Sequence, residues 1–224
     1  MLVIHLSYDL VDLYGLIQPR FPGLYRWSLT WGGTLFLVIS GVSATLGSHP
    51  VKRGIQVFLC GMLCTLVTLG MYLLNFAGRS ILIYFGVLQC LGSCMLLWPI
   101  FKRLPSWLLA ALGLALSLIG LYLIRNVTIP FPWLLPFGLR PHSFVSSDYY
   151  PLLPNFGYFL IGAALGNILY AKKESLLPKI DPQFPILRFL CFCGRKSLLI
   201  YLLHQPVIAG LIGLFVLLFT EATP

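Results

Sequence analysis

Long apolar stretches alternate with short polar or proline-containing segments along almost the whole chain. Each stretch has about 20 residues, the length that a helix needs to cross a hydrocarbon core of about 30 Å. His49, Pro50, Asn75 and Pro105 lie between stretches, and proline ends helices because it lacks a backbone donor and restricts the preceding residue. The pattern predicts an all-α, polytopic transmembrane bundle with six full spans, near residues 32–48, 54–74, 80–101, 105–124, 154–171 and 197–219.

Two further segments are apolar without forming a complete span. Residues 1–17 are too short to cross a membrane alone and carry ionisable side chains, so we predict that they form the outer part of a first helix. The longest predicted loop, 125–153, contains an apolar but proline-rich stretch at 130–137 that is expected to lie in the membrane interface or to re-enter shallowly. We therefore expect residues 1–224 to form a single membrane-embedded domain.

The composition agrees with this pattern and excludes a soluble globular fold. Of the 224 residues, 58% are hydrophobic and 9% are charged, whereas about 25% are charged in an ordinary soluble domain. The net charge is +9, which would suggest a nucleic-acid partner for a soluble chain. In a membrane protein, lysine and arginine collect in the cytoplasmic loops instead, so we expect membrane lipid and no nucleic acid as a partner.

The 15 cations divide unevenly between the two sides that the predicted spans define. The richer side is cytoplasmic by the positive-inside rule. This orientation places the first residues toward the cytoplasm and places both the 125–153 loop and the C-terminus outside, in a plasma or inner cell membrane. The cytoplasmic cations are Lys52, Arg53, Lys102, Arg103, Lys172, Lys173, Lys179, Arg188, Arg195 and Lys196.

The first helix carries ionisable groups that need a partner or a function, since each costs at least about 2.5 kcal/mol inside a span. His5, Asp9 and Asp12 are spaced i, i+4 and i+7, which places them on one helical face. A carboxylate beside an imidazole fixes its tautomer and raises its basicity, as a general base requires. The alternative is that the aspartates lie at the outer interface and pair with Arg20 or Arg26.

Two other polar residues lie near the middle of predicted spans. His204 is about 10 Å beyond Ser197 at 1.5 Å per residue. Pro206 leaves the carbonyl of Leu202 without its helical partner, so a kink is expected to give the imidazole a cavity. Gln89 is the second mid-span polar residue. The alternative for both is an interhelical hydrogen bond that only holds the bundle together.

Small residues within the spans are interpreted as packing residues. The segment from Gly162 to Gly166 is a GxxxG packing face. The four cysteines in the spans form two i, i+4 pairs without Cys-x-x-Cys or histidine spacing, so no metal site is predicted.

Several segments resemble the heparan-alpha-glucosaminide N-acetyltransferase catalytic-domain family, in the version common in bacteria. The resemblance covers nearly the whole chain, and its first and last two segments are the most specific. The segments are HLSYDL at 5–10, ISGVS at 39–43, FGVLQ at 85–89, DYYPLLP at 148–154 and SLLIYLLHQP at 197–206.

This resemblance implies an integral-membrane acyltransferase that moves an acetyl or other acyl group from cytoplasmic acyl-CoA to an extracytoplasmic sugar or glycan. Acyl-CoA is then a cosubstrate and not a bound cofactor. His5, oriented by Asp9, would take the proton of the acceptor, while His204 would position the donor or stabilise the oxyanion. The expected acyl-CoA-binding residues are Lys52, Arg53, Gln89, Arg195, Lys196 and Ser197. The expected acceptor-binding residues are Arg140, His142, Asp148, Tyr149 and Tyr150.

The chain departs from the family pattern at three places. Relatives carry an arginine eleven positions before the first-helix histidine, which here would precede Met1, so we expect a true start upstream or a missing piece. Bacterial relatives often have histidine where this chain has Gln89. The lysosomal branch has its proposed catalytic histidine about eleven residues beyond the first-helix position, where this chain has Leu16. His5 would have to serve instead.

Two other function classes remain open at this point. A transporter or channel would use the midplane histidine and aspartate residues as a proton or solute path, and a catalytically inactive scaffold would use none of them. The sequence has neither paired broken helices nor an inverted repeat. Convergence of His5 and His204 would favour the enzyme, whereas a continuous polar pore would favour transport. A homo-oligomer is compatible with each class.

Overall fold

The computed structural model describes residues 2–8, 10–11, 15, 17–76, 78–142, 144–172, 174 and 184–220. Within these ranges the chain is helical and contains no β-strand. Two short 3₁₀ helices, Arg79–Ile81 and Pro132–Phe137, interrupt the connections. The α-helices are α1 (Leu2–Tyr8), α2 (Pro22–Leu46), α3 (Pro50–Leu73), α4 (Val87–Phe101), α5 (Ser106–Asn126), α6 (Leu152–Leu169), α7 (Pro185–Arg195) and α8 (Ser197–Thr220).

Four of the described helices, α2, α3, α5 and α6, are long and apolar enough to cross a membrane. Helix α4 and the segment Ser197–Ile208 of α8 are apolar but shorter. The all-α membrane architecture predicted from the apolar pattern is therefore confirmed. The count of six spans stays a prediction, since the structure supports four by length and composition.

The chain divides into two compact units. One unit consists of Met1–Gly33 with Leu177–Pro224, and the other consists of Thr34–Leu176. In the first unit, α1 and α7 both contact α8. The side chain of Ile4 lies where a Cβ atom at Gly32 would be, so the glycine gives α1 room to approach the first turns of α2.

In the unit Thr34–Leu176, glycines allow helices to pack closely. A Cβ atom at Gly113 of α5 would lie 2.7 Å from the carbonyl oxygen of Gly157 in α6. On another face of α6, Gly162 lies against the backbone of α2, and a Cβ at Gly166 would lie 2.6 Å from the hydroxyl of Thr45. The predicted GxxxG packing face is confirmed, and α2 is the helix that it packs against.

Helix α2 begins ten residues before its predicted span, which was placed at 32–48. The polar residues that interrupt the apolar pattern do not interrupt the helix. The hydroxyl of Ser28 donates to the carbonyl of Tyr25, and that of Thr30 donates to the carbonyl of Arg26. These hydroxyls are satisfied within the helix, so they cost little there.

The predicted span at 80–101 is α-helical only from Val87 onward. Before it, the 3₁₀ helix Arg79–Ile81 is followed by non-helical residues, and Phe85 forms an isolated bridge with Tyr149 of the 125–153 loop, which we call the outer loop after its predicted side. The backbone amide of Tyr150 donates to the carbonyl of Phe85 at 2.9 Å, and that of Ser147 donates to the carbonyl of Leu82 at 3.0 Å. Pairing with the loop satisfies these backbone groups and so replaces the first turns of a helix.

Three other predicted segments can be compared only in part or differ from the prediction. Of the predicted first helix, 1–17, the structure describes α1 over Leu2–Tyr8, and residues 9, 12–14 and 16 lie outside the described residues. The proline-rich stretch 130–137 contains the 3₁₀ helix Pro132–Phe137, which ends at Gly138 with a φ of 95°, a conformation that favours glycine. Helix α7 was not predicted, because it has only 11 residues and contains no apolar run of spanning length.

Candidate active site

Helices α1 and α8 bring two histidines together. The ring centroids of His5 and His204 are 4.8 Å apart, with 56° between the ring planes. The ring of Tyr201 lies 5.1 Å from that of His204 and 6.2 Å from that of His5. These three side chains, which we call the histidine cluster, lie in an apolar part of the chain where polar side chains are costly.

The orientation of His204 is fixed by its own helix. Its side chain is buried, and its Nδ1 hydrogen-bonds the backbone carbonyl of Tyr201. A carbonyl oxygen only accepts, so Nδ1 must be the donor. In the neutral ring this places the proton on Nδ1 and leaves a lone pair on Nε2. His204 therefore has the tautomer of a proton acceptor.

Both Nε2 atoms in the histidine cluster are buried and have no hydrogen-bond partner among the described residues. Buried polar atoms are nearly always paired in folded proteins, so each exception calls for an explanation. The two Nε2 atoms can accept a proton and donate a hydrogen bond to the same reacting group.

The predicted orienting residue of His5 is Asp9, and it lies outside the described residues. The sequence did not identify Tyr201, whose carbonyl orients His204. The signal that could have found it is the spacing of three residues between Tyr201 and His204, which places the carbonyl within reach of the imidazole one turn later.

Apart from Gln89, the predicted donor-binding residues lie in two places. Lys52 and Arg53 are exposed in the first turn of α3. Arg195, Lys196 and Ser197 are exposed where α7 ends and α8 begins. Exposed cations at helix ends are available to a phosphate-bearing ligand.

Gln89 lies in the first turn of α4, and its side-chain amide is fully engaged. Its Oε1 accepts from the backbone amide of Gly86 at 2.9 Å. Its Nε2 donates to the carbonyl of Gly61 at 3.0 Å and to the hydroxyl of Thr65 at 2.7 Å. A Cβ atom at Gly61 would lie 2.9 Å from the Gln89 amide carbon. Gln89 therefore joins α3 to the start of α4, and both hydrogens of its side-chain amide are used within the protein.

Thr65 also lines a hollow of about 480 Å³, together with Tyr72, Arg79 and Tyr84. Thr65 connects this hollow to Gln89, because it lines the hollow and its hydroxyl accepts a hydrogen bond from the Gln89 amide. Threonine within an apolar helix gave no sequence signal for this position.

Asp148 of the outer loop caps α4. The N-cap residue of α4 is Gly86, which has no side chain to accept from the first helical amides. Asp148 supplies the missing acceptor, because its Oδ2 accepts from the backbone amide of Val87 at 2.9 Å. A Cβ atom at Gly86 would overlap with this carboxylate. Burial raises the pKa of Asp148 to about 6, although the Val87 hydrogen bond acts in the opposite direction.

The other predicted acceptor-binding residues differ in how much of their chemistry is already used. The hydroxyl of Tyr149 donates to the carbonyl of Leu135 at 2.7 Å, and burial raises its pKa to about 12. Burial also raises the pKa of Tyr150. Arg140 is exposed. His142 is exposed too, and its Nε2 lies 3.2 Å from the hydroxyl of Thr128. Only the last two project polar groups that are largely open to a ligand.

No group of three or more His, Cys, Asp or Glu side chains that could hold a metal ion occurs in the described part of the chain.

Comparison with known proteins adds one finding to this geometry. The family model described as heparan-alpha-glucosaminide N-acetyltransferase, catalytic, matches residues 1–206. No curated protein and no solved structure matches the chain. The matched range includes both histidines of the histidine cluster and the whole outer loop.

Proposed function

The chain belongs to the heparan-alpha-glucosaminide N-acetyltransferase catalytic family, and from this membership we propose that it moves an acetyl group from cytoplasmic acetyl-CoA to an extracytoplasmic sugar or glycan. Membership makes the protein an acetyltransferase, and its apolar helices make it a membrane protein. The observation that carries the proposal is the contact between His5 and His204. Their unpaired Nε2 atoms could supply the proton acceptor and the hydrogen-bond donor that an acyl transfer requires.

In this mechanism His204 is the proton acceptor. Its lone pair on Nε2 follows from the hydrogen bond that Nδ1 donates to the carbonyl of Tyr201. His5 takes the opposite tautomer and donates from Nε2 to the thioester oxygen, which becomes negative as the acceptor attacks. These roles are the reverse of those expected from the sequence, where Asp9 suggested that His5 would be the base.

The transfer breaks the thioester C–S bond and forms a C–N or C–O bond to the acceptor. The acceptor amine or hydroxyl gives its proton to Nε2 of His204 as it attacks the carbonyl carbon. The tetrahedral oxyanion is stabilised by His5, and its collapse expels the thiolate of CoA. The imidazolium of His204 then returns the proton to this thiolate, so that both histidines end in their starting tautomers.

The donor phosphates are held by exposed cations on the cytoplasmic side. Arg195 and Lys196 are candidates because they immediately precede α8, the helix that carries His204, and Ser197 offers a hydroxyl beside them. Lys52 and Arg53 are the other candidates. Fixed guanidinium and ammonium groups suit phosphate at such sites.

The acceptor is held by the outer loop. Arg140 and His142 provide the direct contacts, since their polar groups are exposed. Asp148, Tyr149 and Tyr150 act as positioning residues: Asp148 and the backbone of Tyr150 hold the loop to α4 and to the segment that precedes it, and the Tyr149 hydroxyl ties the loop to its own 3₁₀ helix at Leu135.

Purified protein in vesicles tests the proposed sidedness. Vesicles are loaded with a glucosamine-terminated oligosaccharide, and acetyl-labelled acetyl-CoA is added outside. We expect label on the enclosed acceptor from molecules whose cytoplasmic side faces outward. Vesicles with donor and acceptor both outside are the control and should give little product. Equal transfer in the two arrangements would contradict transfer across the membrane.

A further inference from the structure

Helix α7 carries its two arginines on one narrow face, which Phe192 borders, and most of its apolar residues on the remaining surface. At 100° per residue, Arg188 and Arg195 are seven positions apart and share one face. Ile186, Phe189 and Leu190 lie on the other side of the helix. This arrangement is typical of helices that lie in a membrane interface.

The apolar face of α7 is exposed in the described structure. Ile186 is 61% exposed, Phe189 is 65% exposed and Leu190 is 57% exposed. Large apolar side chains that adjoin one another on a helix indicate contact with a membrane or another protein. Helix α7 packs against α8, and these three side chains remain uncovered by that contact.

The length and position of α7 place this face at a membrane boundary. Eleven residues extend about 17 Å, which is too short to cross a bilayer. Lys196 alone separates α7 from α8, whose first segment Ser197–Ile208 is apolar. Since α8 is predicted to be a membrane span, a helix joined so closely to its start is expected at the level where α8 enters the hydrocarbon.

We propose that α7 lies in the plane of the cytoplasmic leaflet and binds anionic phospholipid. Its apolar face enters the acyl-chain region, while Arg188 contacts the lipid phosphates and Arg195, also a candidate for the acyl-CoA phosphates, contacts them when no donor is bound. Charge complementarity selects this occupant, because both cations lie opposite the apolar face and the cytoplasmic leaflet is the anionic one. A second copy of the chain would have to cover the same apolar face and leave the arginines without a partner.

Spin labels on the full chain test this placement. A label at Cys191, near the arginines on the helix, is compared with one at position 189 in a Phe189→Cys, Cys191→Ser variant. The exposed or half-exposed cysteines Cys60, Cys64 and Cys193 are replaced in both proteins. The proteins are reconstituted in vesicles of phosphatidylcholine containing about one-third phosphatidylglycerol.

We expect the ratio of oxygen accessibility to nickel-chelate accessibility to be about tenfold higher at 189 than at 191, since oxygen partitions into lipid and the chelate into water. Removing phosphatidylglycerol should lower the ratio at 189. In an added Arg188→Gln, Arg195→Gln background, the same removal should have no effect. Equal ratios at the two positions, or low access of both reagents to 189 as for a protein-covered face, would overturn the proposal.

Discussion

Replacing His204 with alanine is expected to lower the rate of acetyl transfer by about 10²–10⁴-fold, the contribution of a positioned proton acceptor. The loss has a specific cause in this structure. The hydrogen bond from Nδ1 to the carbonyl of Tyr201 leaves Nε2 as the basic atom. His204→Gln should be as inactive as His204→Ala, because an amide nitrogen cannot accept a proton at neutral pH. Initial rates with saturating acetyl-CoA measure both variants.

The corresponding variants of His5 separate the two roles. His5→Ala removes the proposed oxyanion donor and should cost about 10²–10³-fold in rate. His5→Gln keeps an N–H donor and should recover a large part of that loss. If His5→Gln were as inactive as His5→Ala while His204→Gln retained activity, the assignment of roles would be reversed, as the sequence first suggested.

The matched control for these variants is His49→Ala. His49 is exposed at the N-cap of α3 and makes no capping hydrogen bond with its side chain. Its replacement should leave the transfer rate unchanged. Because His204 is buried, its replacement can also lower the stability of the protein. Thermal unfolding in the same detergent measures that loss, and the fall in transfer rate should exceed any loss of folded protein.

The stability of the protein should fall as the pH rises from about 4 to about 6, and Asp148 is the cause. Burial raises the pKa of its carboxyl from 3.8 to about 6, so in this window the folded state holds a proton that the unfolded state releases. The stabilisation is complete below pH 3.8 and is lost as the pH rises through 6. The pKa difference corresponds to at most about 3 kcal/mol in the free energy of unfolding.

Asp148→Asn isolates this effect. The amide oxygen of asparagine can still accept from the backbone amide of Val87, so the cap of α4 is retained without a titrating group. Unfolding temperatures of the two proteins, measured at intervals between pH 4 and pH 7, should diverge, with the variant the more stable above pH 6. Parallel curves would show that the pKa of Asp148 is the same in the folded and unfolded states.

The sequence identified His5 and His204 for a reason that the structure makes plain. Both are polar side chains in apolar helices, where lipid penalises them, so each had to face protein. That they face each other could not be read from the sequence, because it depends on how α1 meets α8. The tautomer of His204 likewise depends on a hydrogen bond to the carbonyl of Tyr201, which the spacing of three residues allows but does not require.

The outer loop shows a second limit. The resemblance implies that Asp148 binds the acceptor, and the structure adds that its carboxylate caps α4 at a glycine that has no side chain. Its partner Val87 lies 61 residues away in the chain, and no local pattern links the two positions. Gln89 was similarly interpreted as a donor ligand, whereas its amide is engaged by Gly86, Gly61 and Thr65.

Apolar runs of spanning length do not reveal helix α7. The sequence signal for this helix is its amphipathic pattern. Two arginines seven residues apart, with apolar residues on the opposite face, mark an interfacial helix of 11 residues.

The acyl group of the donor is expected to react beside His5 and His204. A CoA thioester with a photoreactive acyl chain tests this most directly, since crosslinks record where that chain lies. After illumination of the reconstituted protein, peptide mapping should find adducts within α1 and the first three turns of α8, and excess acetyl-CoA should abolish them. Competed adducts that avoid both helices would contradict the account.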